Sequence, residues 1–252
     1  MTIEVGKYEV FGMPPYFFFS VLGFAMSICC YLVLLLISDT EITKKNMFIC
    51  IFAIIGVVVG ARIFGILTNI AISLYNNKKL GLDVIYKAGL VYYGGLIGCV
   101  SFYCIGLKIL FKTQYDIILV NSLAVCIPLF HFFGRLGCLF AGCCYGREYH
   151  GYGHINYVRD GISTETFPIQ LLESFIELGI FCFLLILFAK NKKKKNILYI
   201  YFLMYSVARF LLEFLRGDSN RGFFGILSFS QMISILVFII NIFLFFRRSH
   251  EK

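Results

Sequence analysis

The sequence predicts an all-α polytopic membrane protein with about seven transmembrane helices, and three observations carry that prediction. First, 60% of the 252 residues are hydrophobic and only 15% are charged, against roughly 45–50% and 25% in soluble domains. Second, the apolar residues form seven stretches, each close to the roughly 20 residues that cross a bilayer core as a helix. Third, these stretches lack the period-two alternation of transmembrane strands. We therefore expect one membrane domain, residues 1–252.

The predicted helices follow the apolar stretches in chain order. We expect them at residues 14–37, 47–74, 86–111, 115–140, 168–189, 196–215 and 224–246. Several are apolar almost all round, as helices that face lipid are. The segment 141–167 is instead rich in glycine and tyrosine. Tyrosine is enriched at membrane interfaces, so this segment predicts a functional interfacial loop.

Lysine and arginine residues between the stretches predict the orientation. Seven spans put the termini on opposite sides, and the side richer in Lys and Arg faces the cytoplasm. The lysine run 192–195 has no counterpart on the other side. We therefore expect the N-terminus outside, the C-terminus in the cytoplasm and the glycine-rich loop on the extracytoplasmic side. Topology and anionic lipids explain the net charge of +9, so we expect no nucleic-acid partner.

Three arginines lie within the apolar stretches or near their ends, namely Arg62, Arg135 and Arg209. An arginine at the bilayer centre costs about 2.5–3.5 kcal/mol on insertion scales. We interpret the set as a binding site for an anion. The alternative is a structural role, with the arginines snorkelling or paired with Glu173, Glu177 or Glu213.

The densest set of polar residues lies at the end of the fourth stretch. His131, Arg135 and Cys138 have helical spacing i, i+4 and i+7, which puts an imidazole, a guanidinium and a thiol on one face. Glycines around them allow a ligand or another backbone to approach closely. A guanidinium offers a fork of donors that matches phosphate geometry. The pattern therefore favours a buried phospholipid-headgroup site.

Two further stretches carry polar residues at helical spacing. Arg209, Glu213 and Arg216 repeat the spacing i, i+4 and i+7, so Glu213 can orient both arginines, although such a stripe can also be purely structural. Gln170 and Glu173 share one face near the start of the fifth stretch.

A glycine pair, Gly94 and Gly95, follows Tyr93 in the third stretch. Paired glycines can expose backbone N–H groups and admit a bulky substrate. The alternative is close helix packing.

Together these stretches resemble ordered islands of the prolipoprotein diacylglyceryl transferase family, over residues 16–218. The islands are Gly60-Ala-Arg62, Tyr93-Gly-Gly-Leu-Ile-Gly98, Gly134-Arg-Leu-Gly137 through Gly146, Phe167-Pro-Ile-Gln-Leu-Leu-Glu173 and Arg209-Phe-Leu-Leu-Glu213-Phe-Leu-Arg216, with Tyr16 in the first span. The resemblance implies a multi-pass protein of the bacterial inner membrane. It also implies transfer of diacylglyceryl from phosphatidylglycerol to the thiol of a lipobox cysteine in a prolipoprotein, with release of glycerol phosphate.

The resemblance assigns roles to residues of this sequence. Arg135 and Arg209 would grip the donor phosphate, and Arg62, Glu213 and Arg216 would hold those arginines in place. The remaining predicted substrate-binding residues are Tyr16, Gly94, Gly95, Gly137, Cys138 and Gly146. We expect no cofactor and no metal.

Two departures from the family pattern concern proton transfer and the acceptor. Tyr93 stands where the family has a histidine, and Cys138 stands where it has an asparagine. A tyrosine with a pKa near 10 is a poor base at neutral pH. His131, one helical turn before Arg135, is our hypothesis for the missing base.

Cys138, Cys143 and Cys144 form a cluster in the sequence, whereas the other seven cysteines lie in apolar stretches and behave as small hydrophobic residues. The alternatives for the cluster are plain packing, a disulfide from Cys138 to Cys143 or Cys144, a covalent thiol acceptor, or a soft-metal site that includes His131. The spacing fits no standard zinc pattern.

Two other functions stay open on the sequence. One is a divergent relative that uses the same phospholipid donor with another thiol or an amine as acceptor. The other is a non-enzymatic anion- or lipid-binding membrane protein or transporter, which the lack of visible inverted repeats disfavours.

Overall fold

Seven α-helices dominate the described part of the chain in the computed structural model, which confirms the predicted fold class. The helices are α1 Pro15–Ile37, α2 Lys44–Tyr75, α3 Tyr92–Phe111, α4 Ile117–Ala141, α5 Ile169–Asn191, α6 Ile197–Leu212 and α7 Phe229–His250. The structure describes residues 2–4, 9–38, 44–75, 81, 86, 91–111, 117–159, 161–191, 196–217, 223–224 and 226–250. The lysine run 192–195 lies outside these residues, and the predicted orientation stays a prediction.

Six of these helices are long and apolar enough to cross a membrane, and α7 contains the shorter apolar helix Phe229–Leu244. Large apolar side chains such as Leu36, Val58 and Ile186 are more than half exposed on them. A lipid-facing surface accounts for this exposure, because such side chains are stable against acyl chains. A 3₁₀ turn, Glu213–Leu215, continues α6.

The predicted loop 141–167 contains a β-hairpin that the sequence analysis did not predict. Strand β2, Ile155–Arg159, pairs antiparallel with β3, Ile162–Thr166, and β1, Thr2–Glu4, pairs parallel with β2. The turn contains Gly161 at φ +79°, a conformation that favours glycine. Ile3, Ile155 and Tyr157 are buried with Leu139 at the end of α4, so this sheet is anchored to the helix that carries the arginine motif.

The chain divides into two compact units. One comprises residues 1–40, 117–221 and 230–252, and the other comprises residues 41–116 and 222–229. The expectation of one domain over residues 1–252 stays a prediction.

In the second unit, α2 and α3 pack through facing pairs of small residues. Gly56 and Gly60 on α2 meet Gly98 and Gly94 on α3 so closely that an added Cβ would collide with a backbone carbonyl. This small-xxx-small pattern lets helix backbones approach within a membrane. A short hairpin of β4, Phe223–Phe224, and β5, Leu227–Ser228, belongs to the same unit.

In the first unit, α4 is the central helix and packs against α1, α5 and α6. Gly23 on α1 lies against Phe130 and Phe133 of α4. The buried side chain of Asn121 accepts a hydrogen bond of 2.9 Å from the N–H of Ile197, the first residue of α6. This bond satisfies a donor that helix starts leave unpaired, and it fixes α6 relative to α4.

Candidate active site

A buried carboxylate on α5 joins the two arginines of the predicted site. Glu173 Oε2 lies 2.8 Å from Arg135 Nε on α4, and Glu173 Oε1 accepts a hydrogen bond of 3.0 Å from Arg209 Nη1 on α6. All three side chains are at least nine-tenths buried. Arg135 and Arg209 therefore meet at one carboxylate. They do so through the carboxylate pairing that the sequence left open as the structural alternative.

Arg209 is held at both of its terminal nitrogens. Nη2 lies 2.7 Å from Glu213 Oε2, one helical turn further along, and 3.3 Å from Ser230 Oγ at the start of α7. The spacing i, i+4 explains the first contact. The expected role of Glu213 in orienting Arg209 agrees with this geometry, and Arg209 has few donors left for a ligand.

His131 connects Arg135 to a second buried carboxylate. Arg135 Nε donates to His131 Nε2 at 3.1 Å, and His131 Nδ1 lies 3.0 Å from Glu177 Oε1. Because Nε2 accepts from a guanidinium, this network assigns the ring proton to Nδ1, where it faces Glu177. The ring also meets Tyr205 edge to face, with 5.4 Å between ring centroids.

Arg135 uses only its Nε within the network. Among the residues that the structure describes, neither Nη atom of Arg135 has a hydrogen-bond partner, although the residue is 7% exposed. Two adjacent N–H groups at the end of a fixed guanidinium match two oxygens of a phosphate. This arrangement is suited to bind a phosphate.

The three clustered cysteines meet where the chain turns back at the end of α4. Their Sγ atoms all lie within 4.8 Å of one another, and all three are free thiols. Gly142 at φ +66° and Cys144 at φ +58° make the turn. Gln170 Nε2, on α5, donates to the carbonyl of Cys143 at 2.8 Å. Neither disulfide that the sequence left open as an alternative is formed in this structure.

The pKa of Cys144 is lowered from its ordinary value. The causes are hydrogen bonds from the Cys138 and Cys143 thiols, followed by the positive charges of Arg135 and Arg216, while burial opposes them. Cys144 is thus the thiol of the cluster that most readily carries negative charge.

At Gly146, the backbone that follows the Arg135 motif pairs with the backbone at the end of the Arg209 motif. Gly146 forms a β-bridge with Arg216, and Arg147 N–H donates to the carbonyl of Leu215 at 2.9 Å. A Cβ at Gly146 would meet the backbone of Phe167. Its close neighbour in this structure is therefore the chain itself, and the predicted contact of Gly146 with substrate stays a prediction.

Gly137 and Tyr16 meet where α1 packs on α4. A Cβ at Gly137 would lie 3.1 Å from Tyr16 Cα and from Phe19 Cβ. The Tyr16 side chain itself is 58% exposed. These contacts explain Gly137 by helix packing, and the substrate-binding roles predicted for Gly137 and Tyr16 stay predictions.

The second unit holds the other four predicted site residues. Tyr93 is buried at 2% exposure, and Gly94 packs against Gly60 and Phe64. The N–H of Gly95 donates to the carbonyl of Val91 at 3.1 Å within the helix, so this group is not exposed for a ligand, contrary to the sequence-based reasoning. The roles of Tyr93, Gly94, Gly95 and Arg62 in binding or catalysis stay predictions.

The predicted set of site residues omitted the polar face of α5. Gln170, Glu173 and Glu177 follow at i, i+3 and i+7, and they bind Cys143, the arginine pair and His131. Such a stripe in an otherwise apolar stretch was the signal in the sequence. Carboxylates inside a membrane span usually pair with buried cations and mark a functional interior.

Comparisons with known proteins show what this chain is similar to. A family model described as "Prolipoprotein diacylglyceryl transferase" matches residues 9–247. The chain is 32% identical to phosphatidylglycerol–prolipoprotein diacylglyceryl transferase 2 of Clostridium perfringens, over 97% of this chain and 94% of that protein. It is 31% identical to the phosphatidylglycerol–prolipoprotein diacylglyceryl transferase of Clostridium tetani, over 94% and 95% of the two chains. The protein of that name from Campylobacter lari is 30% identical, over 100% and 96%.

Proposed function

This chain belongs to the prolipoprotein diacylglyceryl transferase family, and on that premise we propose how its buried site carries out the transfer. The protein is a multi-pass transferase of the bacterial inner membrane, and it moves the diacylglyceryl group of phosphatidylglycerol to a prolipoprotein. The acceptor is the thiol of the lipobox cysteine. The sulfur forms a bond to the glycerol carbon, the carbon–oxygen bond to phosphate breaks, and glycerol phosphate leaves with the electron pair.

Arg135 is the residue that binds the donor phosphate in this proposal. The observation that carries it is the contrast between the held Nε of Arg135 and its two Nη groups, which have no partner among the described residues. Negative charge grows on the phosphate oxygens as the carbon–oxygen bond breaks. Donors fixed in a dry site before the reaction stabilise that charge, and removing one typically costs about 10²–10³ in kcat.

Arg209 acts through Glu173 rather than by gripping the phosphate itself. Its terminal nitrogens are occupied by Glu173, Glu213 and Ser230. It offsets the charge of Glu173 and keeps that carboxylate against Arg135. The sequence led us to expect that both arginines bind the phosphate. We propose instead that Arg135 binds it and that Arg209 is a positioning residue.

His131 is a positioning residue for Arg135 in this proposal. The lone pair that a general base needs is on Nε2, which accepts from Arg135, and Nδ1 faces Glu177. A group other than His131 must therefore accept the proton of the acceptor thiol. Tyr93, at the position of the family histidine, is a poor base at neutral pH, because a tyrosine ordinarily has a pKa near 10.

A turnover assay tests the proposed function. Purified protein with phosphatidylglycerol and a lipobox peptide is expected to release glycerol phosphate and to add diacylglyceryl to the peptide, as seen by mass spectrometry. A peptide with serine in place of the cysteine is the control and should give neither product. Transfer to an amine of that control peptide would indicate another acceptor. Stoichiometric anion binding without turnover would favour the non-enzymatic alternative.

The proposed orientation has the N-terminus outside and the C-terminus in the cytoplasm. It places the cysteine cluster and β2–β3 on the extracytoplasmic side, because they follow the end of α4. A reporter enzyme active only in the cytoplasm, fused after residue 252, is expected to be active. Activity of a reporter that works only outside the cytoplasm at the same position would contradict this orientation.

A further inference from the structure

Three sulfur atoms at the end of α4 form a group that the transfer mechanism above does not use. The Sγ atoms of Cys138, Cys143 and Cys144 all lie within 4.8 Å of one another. Sulfurs that share a zinc ion in tetrahedral geometry lie about 3.8 Å apart, because each Zn–S bond is about 2.3 Å long. Small side-chain rotations would bring these three thiols to that spacing. The three thiols come from one seven-residue segment.

The backbone holds this segment in a conformation that ordinary residues avoid. Cys144 has φ +58°, one of two non-glycine residues with positive φ in the described part of the chain. Such a conformation costs on the order of 1–3 kcal/mol and is concentrated at functional sites. The hydrogen bonds from Gln170 to the Cys143 carbonyl and from Cys143 N–H to the Cys138 carbonyl keep the segment folded back. The thiols thus lie together because the loop is fixed from two sides.

Positive charge lies beside the cluster. Arg135 interacts electrostatically with Cys138 and Cys144, and Arg216 interacts with Cys144. Three thiolates with one Zn²⁺ carry a net charge of about −1, which is costly in a low-dielectric interior unless cations are near. The backbone pairing at Gly146 keeps Arg216 there. The surroundings therefore suit a metal–thiolate group.

We propose that Cys138, Cys143 and Cys144 bind one Zn²⁺ and leave its fourth position for the acceptor thiol. Three protein ligands with one open position are the pattern of catalytic zinc sites. A thiol that coordinates zinc is deprotonated, so the acceptor cysteine gives its proton to solvent and binds as thiolate. Its sulfur then attacks the glycerol carbon of the donor, and the leaving phosphate oxygen takes the electron pair of the broken bond.

This inference rests on the proposed function and deepens it. It revises our expectation that no metal is bound, and it supplies the thiol activation that neither the buried Tyr93 nor the engaged His131 offers. It also places acceptor and donor side by side, because Cys138 lies one helical turn from the phosphate-binding Arg135. A disulfide within the cluster would exclude the metal, since it removes two of the three thiolate ligands.

Metal content is the first test. The full chain, purified in detergent without chelators, is expected to bind about one Zn²⁺ per chain. Replacing the zinc with Co²⁺ should give the thiolate-to-cobalt charge-transfer band and the visible bands of tetrahedral cobalt. Cys143→Ala and Cys144→Ala should lose both signals. Cys182→Ala, at an exposed cysteine of α5 outside the cluster, is the matched control and should keep them.

The acceptor supplies the second test. A lipobox peptide is expected to shift the cobalt bands in the absence of phosphatidylglycerol, whereas the serine version of the peptide should not. Chelation should stop the transfer, and added Zn²⁺ should restore it. Wild-type protein that binds no Zn²⁺ or Co²⁺, or that carries a disulfide in the cluster when purified, overturns the inference.

The outcomes separate the metal site from the transferase function. Transfer that continues at full rate in metal-free protein overturns the zinc proposal and leaves the proposed function intact. Metal binding with a peptide-dependent spectrum but no transfer to the peptide counts against the proposed function, and it leaves a thiol-binding metal site. Cys143→Ala is compared with wild-type protein stripped of metal, because a bound metal itself raises the unfolding temperature. An unfolding temperature equal to that of the metal-free wild type shows that the signals are lost with the ligand and not with the fold.

Discussion

Glu173 Oε2 lies 2.8 Å from the Nε of Arg135, and both side chains are more than nine-tenths buried. This pair decides which part of the guanidinium faces the rest of the site. The Nε atom faces Glu173 and donates a hydrogen bond to His131. An arginine fixed in this way binds a phosphate without first losing conformational freedom.

Replacing Glu173 with glutamine is expected to lower both stability and activity. The amide cannot offset two arginines, and breaking a buried ion pair by removing one partner typically costs about 3–5 kcal/mol. Thermal unfolding in detergent and glycerol phosphate release measure the two effects. Glu177→Gln is the matched control on the same helix, because it contacts His131 rather than an arginine, and it should lose less of both. Equal losses in the two variants would contradict the central role of Glu173.

Lysine replacements are expected to separate the two arginines. Arg135→Lys keeps the charge but loses the two-point fork, so kcat should fall by about 10²-fold or more. Its unfolding temperature should fall less than that of Arg209→Lys, because only the Nε of Arg135 contacts Glu173 and His131. Arg209→Lys removes contacts to Glu173, Glu213 and Ser230, so its main effect should be on the unfolding temperature. The reverse ranking would show that Arg209 is the phosphate-binding residue.

The pH dependence of kcat/KM distinguishes the two roles considered for His131. If His131 is a positioning residue, the variant His131→Ala should have a lower rate at every pH, and the shape of its pH profile should be unchanged. If His131 is the general base, its replacement should remove the limb of the pH profile that reports the ionisation of the histidine. Tyr93→Phe is the companion variant. Full activity in His131→Ala together with none in Tyr93→Phe would leave His131 without a role in the reaction.

Gly98 and Gly134 form a matched pair of glycines for testing helix packing. A Cβ at Gly98 would collide with the backbone of Gly56, whereas a Cβ at Gly134 would meet nothing within 4 Å. Gly98→Ala should therefore destabilise the protein by about 1–3 kcal/mol, as overpacking does. Gly134→Ala should be neutral or stabilise α4 by up to about 1 kcal/mol, because alanine favours helix. Thermal unfolding of both variants tests the packing of α2 on α3.

An exposed histidine beside the β2–β3 hairpin is expected to titrate above its ordinary range. The hydrogen bond of 2.7 Å between His150 Nδ1 and Glu165 Oε2 raises the pKa of His150 above 6.5 and lowers the pKa of Glu165. The His150 contribution to stability is therefore full below 6.5 and is lost as pH rises through the raised value. The Glu165 contribution is lost as pH falls through its lowered pKa.

Histidine titration by NMR checks this pair. Glu165→Gln should bring the pKa of His150 down toward 6.5, and Glu148→Gln, which removes a more weakly interacting partner, should lower it less. An unchanged pKa in Glu165→Gln would contradict the hydrogen bond. Both side chains are exposed, so the effect on the unfolding temperature should be small.

Local patterns were enough to predict the helices and the motifs. Stretch length and hydrophobicity place a span wherever it lies in the fold, and the predicted limits 14–37 and 168–189 differ by one or two residues from α1 and α5. The i, i+4 spacing likewise predicted the contact of Arg209 with Glu213. The β1–β2 pairing escaped prediction because its strands are distant in sequence, and no local pattern reports a parallel partner.

By itself, the sequence determined the membrane-spanning class, the number and approximate positions of the helices, the motif residues and the family resemblance, because each depends on composition and short-range spacing. The predicted limits 224–246 were wrong at their start, since residues 223–224 and 227–228 form a hairpin and α7 begins at Phe229. Tertiary structure alone decided which groups meet. Glu173 and Arg209 are 36 residues apart, and only the packing of α4, α5 and α6 puts one carboxylate between two arginines. The same holds for the thiols: their spacing was visible, but the reversal of the chain after Ala141 brings the three sulfurs together. These contacts matter for stability because a charged group in a low-dielectric interior costs free energy unless a partner is fixed beside it.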